Sequence, residues 1–261
     1  MEVQIKKAVR AGNSSAVILP KSWLNKEVRV ELLRKTPEVI LSDVLRFVKD
    51  YISLKNIIGI YVTGSYARGE EDENSDIDVL IITKDMDKEI IHEGIYNILI
   101  ISSELIKQKL KVDLFPLGQM LKEAKPLLNA DYLNQINVKI TRANVEWYIK
   151  TTEDKLKIIR KVLDWTKEKN KKYVDNLVAY TLVLRIRTLY IIRKLMKNEN
   201  YSKKDFIKII KNVSKGTNAY DGYLAVKNNS KEKGKIGVAE AEKLYRYLKK
   251  ELESVKRILV V

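Results

Sequence analysis

Residues 57–82 place the tightest limits on what this chain can fold into. Ile57-Ile58-Gly59-Ile60-Tyr61-Val62 is a short apolar run rich in β-branched residues, and Thr63-Gly64-Ser65 stops it, the pattern of a buried strand that ends in a tight turn. Gly64 lets the backbone pass close to a ligand, and Ser65 adds a hydroxyl. Tyr66-Ala67-Arg68 can then open a helix whose first amide groups favour phosphate. After the polar residues 70–75, Asp76-Ile77-Asp78-Val79-Leu80-Ile81-Ile82 reads as a second strand. Side chains alternate at period two, so Asp76 and Asp78 share one face about 7 Å apart along the strand. Two carboxylates beside a phosphate cradle suit a pair of Mg²⁺ ions, because hard cations take oxygen ligands and bridge triphosphate oxygens. Each half is commonplace alone, Gly-Ser in turns and Asp-x-Asp at solvated strand edges. Together, between two apolar strands, they form a specific pattern.

Gly64-Ser65 within Gly-Ser-x-Ala-Arg-Gly, followed by Ser75-Asp76-Ile77-Asp78, resembles the signature of the nucleotidyltransferase superfamily typified by DNA polymerase beta, in its minimal and aminoglycoside-modifying branches. The resemblance implies a nucleoside triphosphate substrate, two Mg²⁺ ions with Mn²⁺ as an alternative, and nucleotide contacts from Gly64, Ser65 and Arg68. It also implies a third carboxylate on a later strand, serving as metal ligand and as base for the acceptor hydroxyl. Asp113 is the candidate, because Lys111-Val112-Asp113-Leu114-Phe115 alternates like a strand and sets it between apolar neighbours. If the strand beside Asp76 and Asp78 is instead the run at 96–101, that strand brings no carboxylate. Arg68 either binds phosphate or pairs with the acidic residues at 70–73.

The rest of residues 37–138 fits one catalytic α/β domain with a mixed sheet. Thr36-Pro37 opens a helix whose Val39, Leu41, Val44, Leu45, Val48 and Ile52 recur at helical spacing. Residues 88–92 read as a helix or turn, 96–101 as a strand, 105–110 as a helix, and 121–133 as a helix and linker. His92, the only histidine, sits in a charged segment and is expected at the surface.

Upstream, Val3-Gln4-Ile5-Lys6 and Ala8-Val9-Arg10 alternate, Ala11-Gly12-Asn13-Ser14-Ser15 is a turn, and Ala16-Val17-Ile18-Leu19 and Val28-Arg29-Val30-Glu31-Leu32 read as further strands. The stretch from Arg10 to Val30 resembles the swapped-hairpin, AbrB-type domain of antitoxins and transcription regulators. Thirty-six residues without disulfide or metal bury too little surface to fold alone. The resemblance implies that residues 1–36 interleave with a second copy, giving a homodimer, and that Lys6, Lys7, Arg10 and Lys21 either contact DNA or merely flank a dimerisation handle.

Downstream, residues 139–261 show apolar positions three and four apart: Leu156, Ile159 and Leu163; then Leu177 through Leu195; Phe206, Ile209 and Ile210; and Ala241, Leu244, Leu248, Leu252 and Val255. A bundle of four or five helices is expected, with a short helix around Tyr220 and Tyr223 and a Lys-rich loop at 227–235. In helix pattern the segment is similar to the domains that follow kanamycin-type nucleotidyltransferases and to the HEPN partners of minimal ones. HEPN ribonucleases need a histidine soon after an arginine, and none occurs after His92.

Charge divides the chain. Residues 1–36 carry eight basic against three acidic side chains, residues 37–138 carry eleven against seventeen, and residues 139–261 carry thirty-one against fourteen, within a total of +16. An acidic centre between basic flanks suits a polyanionic partner, RNA or DNA, although a Lys-rich solvated surface gives the same balance. With no cysteine there are no disulfides or thiolate sites, and one histidine excludes a histidine-rich zinc centre. Such a composition is frequent in hyperthermophile proteins. No apolar stretch reaches the roughly 20 residues of a membrane span, and the first residues do not resemble a signal peptide, so a cytoplasmic protein is expected.

These features predict an α+β multidomain chain: a swapped-hairpin β domain (1–36), a nucleotidyltransferase domain (37–138) and a helical bundle (139–261). The expected activity is transfer of a nucleoside monophosphate from a nucleoside triphosphate to a hydroxyl of nucleic acid or protein, a reaction of the EC 2.7.7 type. The alternative is a dimeric DNA-binding regulator or antitoxin-like protein whose nucleotidyltransferase domain is degenerate and senses nucleotide.

Overall fold

A short hairpin opens the described part of the chain. β1 (Val9–Ala11) pairs antiparallel with β2 (Ser14–Ala16) around Gly12, whose φ of +61° is one that glycine adopts without cost. The structure is a computed structural model and describes residues 4, 6, 8–31, 36–72, 75–86, 88–230 and 236–259. It divides into two compact units, Met1–Ile106 with Glu123–Asn137, and Lys107–Lys122 with Val138–Val261.

No residue of 8–31 is buried, and Ile18, Leu24 and Val30 are each about 70% exposed. The strand expected near residue 30 is irregular over 28–31, and the strand expected at 3–6 falls largely outside the described residues. A swapped hairpin is therefore not seen in the single chain.

The core of the first unit starts with α1 (Pro37–Val48). Thr36 caps it by accepting from the Val39 N–H, Pro37 sets its first turn, and Ile40, Val44 and Val48 are buried at four-residue spacing. They pack with one face of a five-stranded mixed sheet. Its strands are β3 (Ile57–Thr63), β4 (Ile77–Thr83), β5 (Lys88–Glu93), β6 (Tyr96–Ser102) and β7 (Lys125–Leu128), in the order β5-β6-β4-β3-β7; β3 leads straight into α2 (Gly64–Arg68). β4 and β6 run parallel, and every other neighbouring pair runs antiparallel. Ile60, Val62, Ile77, Val79, Ile81, Ile98 and Ile100 fill the face under α1, each side chain contributing about 1.5–3 kcal/mol on burial. By the two-residue alternation, Thr63, Asp78, Asn97 and His92 lie on the other face.

Three sequence expectations change here. Residues 88–92 form the edge strand β5, not a helix or turn, because Ile91 reaches the core while its polar neighbours stay solvated. The linker over 121–133 contains β7, an edge strand that pairs with β3 and on which Pro126 is tolerated, followed by α5 (Ala130–Gln135). Residues 111 and 112 end the helix α3 (Ser103–Val112) rather than open a strand, so Asp113 follows a helix and belongs to no sheet. Its neighbour Leu114 is fully buried in the core of the second unit.

That unit is helical. α4 (Leu117–Glu123) contributes to it before the chain returns through α6 (Arg142–Glu168), α7 (Asn176–Met196), α8 (Lys203–Ser214), α9 (Asn218–Lys227) and α10 (Val238–Ile258), with a two-residue pairing of β8 (Tyr173–Val174) and β9 (Ile236–Gly237). α7 is central, burying Leu182, Val183, Ile186, Leu189 and Ile192. The α10 stripe Ala241, Leu244, Leu248, Leu252 and Val255 is the one its sequence spacing predicts. Asn144 joins the two stretches of the unit: its amide nitrogen donates to the carbonyls of Leu110 and Lys139, and its oxygen closes a capping box with Thr141. The Lys-rich loop expected at 227–235 begins as the last turn of α9, and residues 231–235 lie outside the described residues. Among the described residues no helix is long and apolar enough to cross a membrane.

Candidate active site

The antiparallel pairing of β3 with β4 sets Thr63 opposite Asp78, and the parallel pairing of β4 with β6 sets Asp78 opposite Asn97. β5 then sets His92 opposite Asn97. Thr63, Asp78, Asn97 and His92 thus form one polar row across four strands, buried at Thr63 and exposed at His92.

Asp76 immediately precedes β4 and is exposed, whereas Asp78 is half-buried within it. One nitrogen, Asn97 Nδ2, lies 3.4 Å from Asp76 Oδ2 and 3.4 Å from Asp78 Oδ1, so these two oxygens are at most twice that distance apart. On its other side Asn97 Oδ1 lies 2.8 Å from His92 Nδ1. The two carboxylates that the sequence sets on one face thus share one amide donor.

Gly64 closes the other side of the pair. Its φ is +67°, and a Cβ built there would stand 2.2 Å from Asp78 Oδ2. Its N–H donates to Glu123 Oε1 at 2.9 Å, while Glu123 Oε2 takes a 2.7 Å bond from Arg68 Nη1. Arg68 Nε donates to Glu70 at 2.9 Å. The Arg68 and Glu123 side chains are only 12% and 5% exposed, so this is a buried ion pair. Burial works against the Arg68 charge, but the hydrogen bonds and charges of Glu70 and Glu123 outweigh it and lift its pKa above the ordinary guanidinium value. Arg68 makes the pairing with an acidic neighbour that the sequence allowed, at Glu70, and adds one to Glu123. Ser65 follows Gly64 as the second residue of the five-residue α2, which ends at Gly69 in the left-handed conformation.

Asp113 lies in the second unit. Its Oδ1 accepts from the Tyr148 hydroxyl at 2.5 Å and from the Phe115 N–H at 3.1 Å. Burial, reinforced by that hydrogen bond and the Asp113 charge, pushes the Tyr148 hydroxyl well above its usual pKa.

Sequence reading missed Asn97 and Glu123; it placed His92 at the surface, where it lies, but gave it no part in the row. Asn97 carried a signal: it is the polar residue at the second position of an otherwise apolar strand, as Asp78 is in β4. Glu123 carried none, being 59 residues from the amide it holds.

Gly64→Ala should lower the unfolding midpoint, because a left-handed alanine costs about 1–2 kcal/mol and its Cβ would displace the Asp78 carboxylate. Calorimetry of the purified variant checks the loss, and Gly12→Ala, also left-handed but in open space, isolates the contribution of the collision.

Residues 41–208, well over half of the chain, match the family described as a nucleotidyltransferase domain. The chain belongs to that family. No curated protein matches this nucleotidyltransferase-domain chain. It is similar to a nucleotidyltransferase-like protein from Exiguobacterium sibiricum 255-15 at 12% identity, over 82% of this chain and 75% of that one, with a TM-score of 0.39. It is also similar, at 12% identity, to a spectinomycin adenyltransferase, AAD(9), from Enterococcus faecialis, solved with ATP and spectinomycin, over 83% of this chain and 98% of that one, again with a TM-score of 0.39.

The acidic pair fits a divalent cation. An N–H donor drawn to both carboxylates marks a point where positive charge is favourable, and carboxylate oxygens suit Mg²⁺ or Mn²⁺. Among the described residues no three His, Cys, Asp or Glu side chains gather to hold a metal.

Proposed function

We propose that the protein transfers a nucleoside monophosphate from a nucleoside triphosphate to an acceptor hydroxyl, with Asp76 and Asp78 as the centre. The convergence of these two carboxylates at the start of β4, with the Gly64 backbone against one of them, carries this reading. The acceptor oxygen bonds to the α phosphorus, the bond from that phosphorus to the bridging oxygen of pyrophosphate breaks, and the hydroxyl proton leaves to solvent. One or two Mg²⁺ ions bound by Asp76 and Asp78 supply charge neutralisation for the attacking and leaving oxygens. Gly64 keeps the ground beside Asp78 clear of side chain, and Ser65 offers its hydroxyl to the β and γ phosphates. Arg68 holds Glu123, and Glu123 holds the Gly64 N–H, so Arg68 shapes the turn rather than meeting phosphate directly. Asp113, the acceptor-side carboxylate expected from sequence, here tethers the turn at Phe115 to Tyr148.

The basic balance of residues 139–261 favours a polyanionic acceptor, RNA before protein. The exposed Ile18, Leu24 and Val30 favour a second copy of the chain as cover for the amino-terminal segment.

The test is incubation of the full-length protein with Mg²⁺ and each α-labelled nucleoside triphosphate, together with total RNA and lysate protein. Label is expected in one acceptor class, from one or two of the four nucleotides, and only without chelator. Absence of transfer with every nucleotide, while labelled nucleotide still binds, would overturn transfer in favour of nucleotide sensing.

A further inference from the structure

His92 is an exposed side chain on an edge strand, yet it completes the row that holds the acidic pair. Carboxylates ionised at neutral pH can only accept hydrogen bonds. The Asn97 amide must therefore turn Nδ2 toward Asp76 and Asp78, which leaves Oδ1 facing the imidazole. A carbonyl oxygen likewise only accepts, so His92 Nδ1 carries the hydrogen and donates across the 2.8 Å gap. The opposite sense of the amide would set its oxygen against two carboxylate oxygens and meet repulsion on that side. The carboxylates thus set which end of Asn97 faces them, and the imidazole N–H holds the other end of the same amide.

We propose that His92 is a positioning residue for the Asp76–Asp78 centre: through Asn97 it holds both carboxylates turned toward one point, ready for a divalent cation. Two like charges kept close repel one another, and the shared amide opposes their separation. Without His92 the amide would keep its sense but swing about its side-chain torsions, and the hydrogen bond from Nδ1 restrains that swing. Groups bonded directly to a metal's ligands, as Asn97 is to Asp76 and Asp78, commonly change metal affinity or activity 10–100-fold when removed, and His92, one hydrogen bond further out, should act at the low end of that range. Because His92 touches only Asn97 among the hydrogen bonds of the site, its removal acts on the arrangement of the pair and not on its charge.

This proposal rests on the transferase reading of the same site, and the test separates the two. Full-length protein is titrated with Mn²⁺, followed by loss of the free-ion electron paramagnetic resonance signal, and kcat and KM for the nucleotide are measured in parallel. His92→Ala is expected to weaken Mn²⁺ binding roughly tenfold and to lower kcat by a similar factor, with an unchanged unfolding midpoint. His92→Asn keeps an N–H donor near the place of Nδ1 and should recover binding to within about threefold. Mn²⁺ binding by His92→Ala equal to that of the natural chain, while Asp78→Asn loses it, overturns the proposal and leaves the site standing. If Asp78→Asn also binds Mn²⁺ as the natural chain does, the ion does not sit at this pair, and the transferase reading falls together with the proposal.

Discussion

Asp78→Asn is expected to reduce nucleotidyl transfer by about a thousandfold or more while leaving the fold intact. The half-buried Asp78 is the member of the pair that stands inside β4, with the Gly64 backbone against one of its oxygens and the Asn97 amide against the other. On the proposed mechanism its replacement would remove half of the carboxylate charge available to a cation at the α phosphate. Stabilisation of that charge by a bound ion is worth several kcal/mol, and 4 kcal/mol corresponds to about three decades in rate. Stability should move the other way or not at all, since the substitution relieves repulsion from Asp76 and keeps the side-chain volume. Single-turnover transfer and thermal unfolding, measured on the same sample, check both halves. A variant that transfers at the natural rate would place the chemistry elsewhere in the chain.

Arg68→Ala is expected to be the most destabilising change in the first unit, at about 3–5 kcal/mol. The ordinary reading of an arginine after a Gly-Ser turn is a phosphate ligand, whose loss would weaken nucleotide binding and spare the fold. In this protein the guanidinium neutralises Glu123, which is almost completely buried and accepts the Gly64 N–H with its other oxygen. Removing one partner of a buried pair strands the other charge, and that is the costly way to break such a pair. The double variant Arg68→Ala with Glu123→Gln should recover part of the loss, because the more deeply buried charge is then gone and only the partly exposed Glu70 has lost its bond to Arg68. Urea unfolding of the two variants and the natural chain measures this coupling. Equal stability of Arg68→Ala and the natural chain would return Arg68 to the phosphate role.

Legibility of the sequence followed the range of the interactions concerned. β3, the Gly64 turn and β4 could be read because a period-two apolar run and its stop signal are local. The helix stripes of α6, α7 and α10 could be read for the same reason. β5 could not, since Lys-Glu-Ile-Ile-His-Glu is a strand only by virtue of its pairing with β6, and β7 hides behind Pro126. Lys111–Phe115 alternates as convincingly as a strand, yet Leu114 is drawn into the helical core, and no local pattern records that choice. In the site, Asp76 and Asp78 announced themselves by charge between apolar neighbours. Asn97 and His92 acquired meaning only when the order of strands laid them side by side, and Glu123 only when the chain returned to Gly64.

The first unit is not one stretch of chain. It resumes at Glu123 after sixteen residues that belong to the other unit, and its first residue on return is the one that secures the turn beside the acidic pair. The protein is therefore not a string of exchangeable cassettes. A graft that cut cleanly before residue 107 would leave the first unit without an edge strand and without the anchor of its turn, and a graft of residues 37–138 would carry a piece of its neighbour's core along with it. Inheritance of such a site has to be joint, because residues 107–122 of the helical unit stand in the chain between the two stretches of the first.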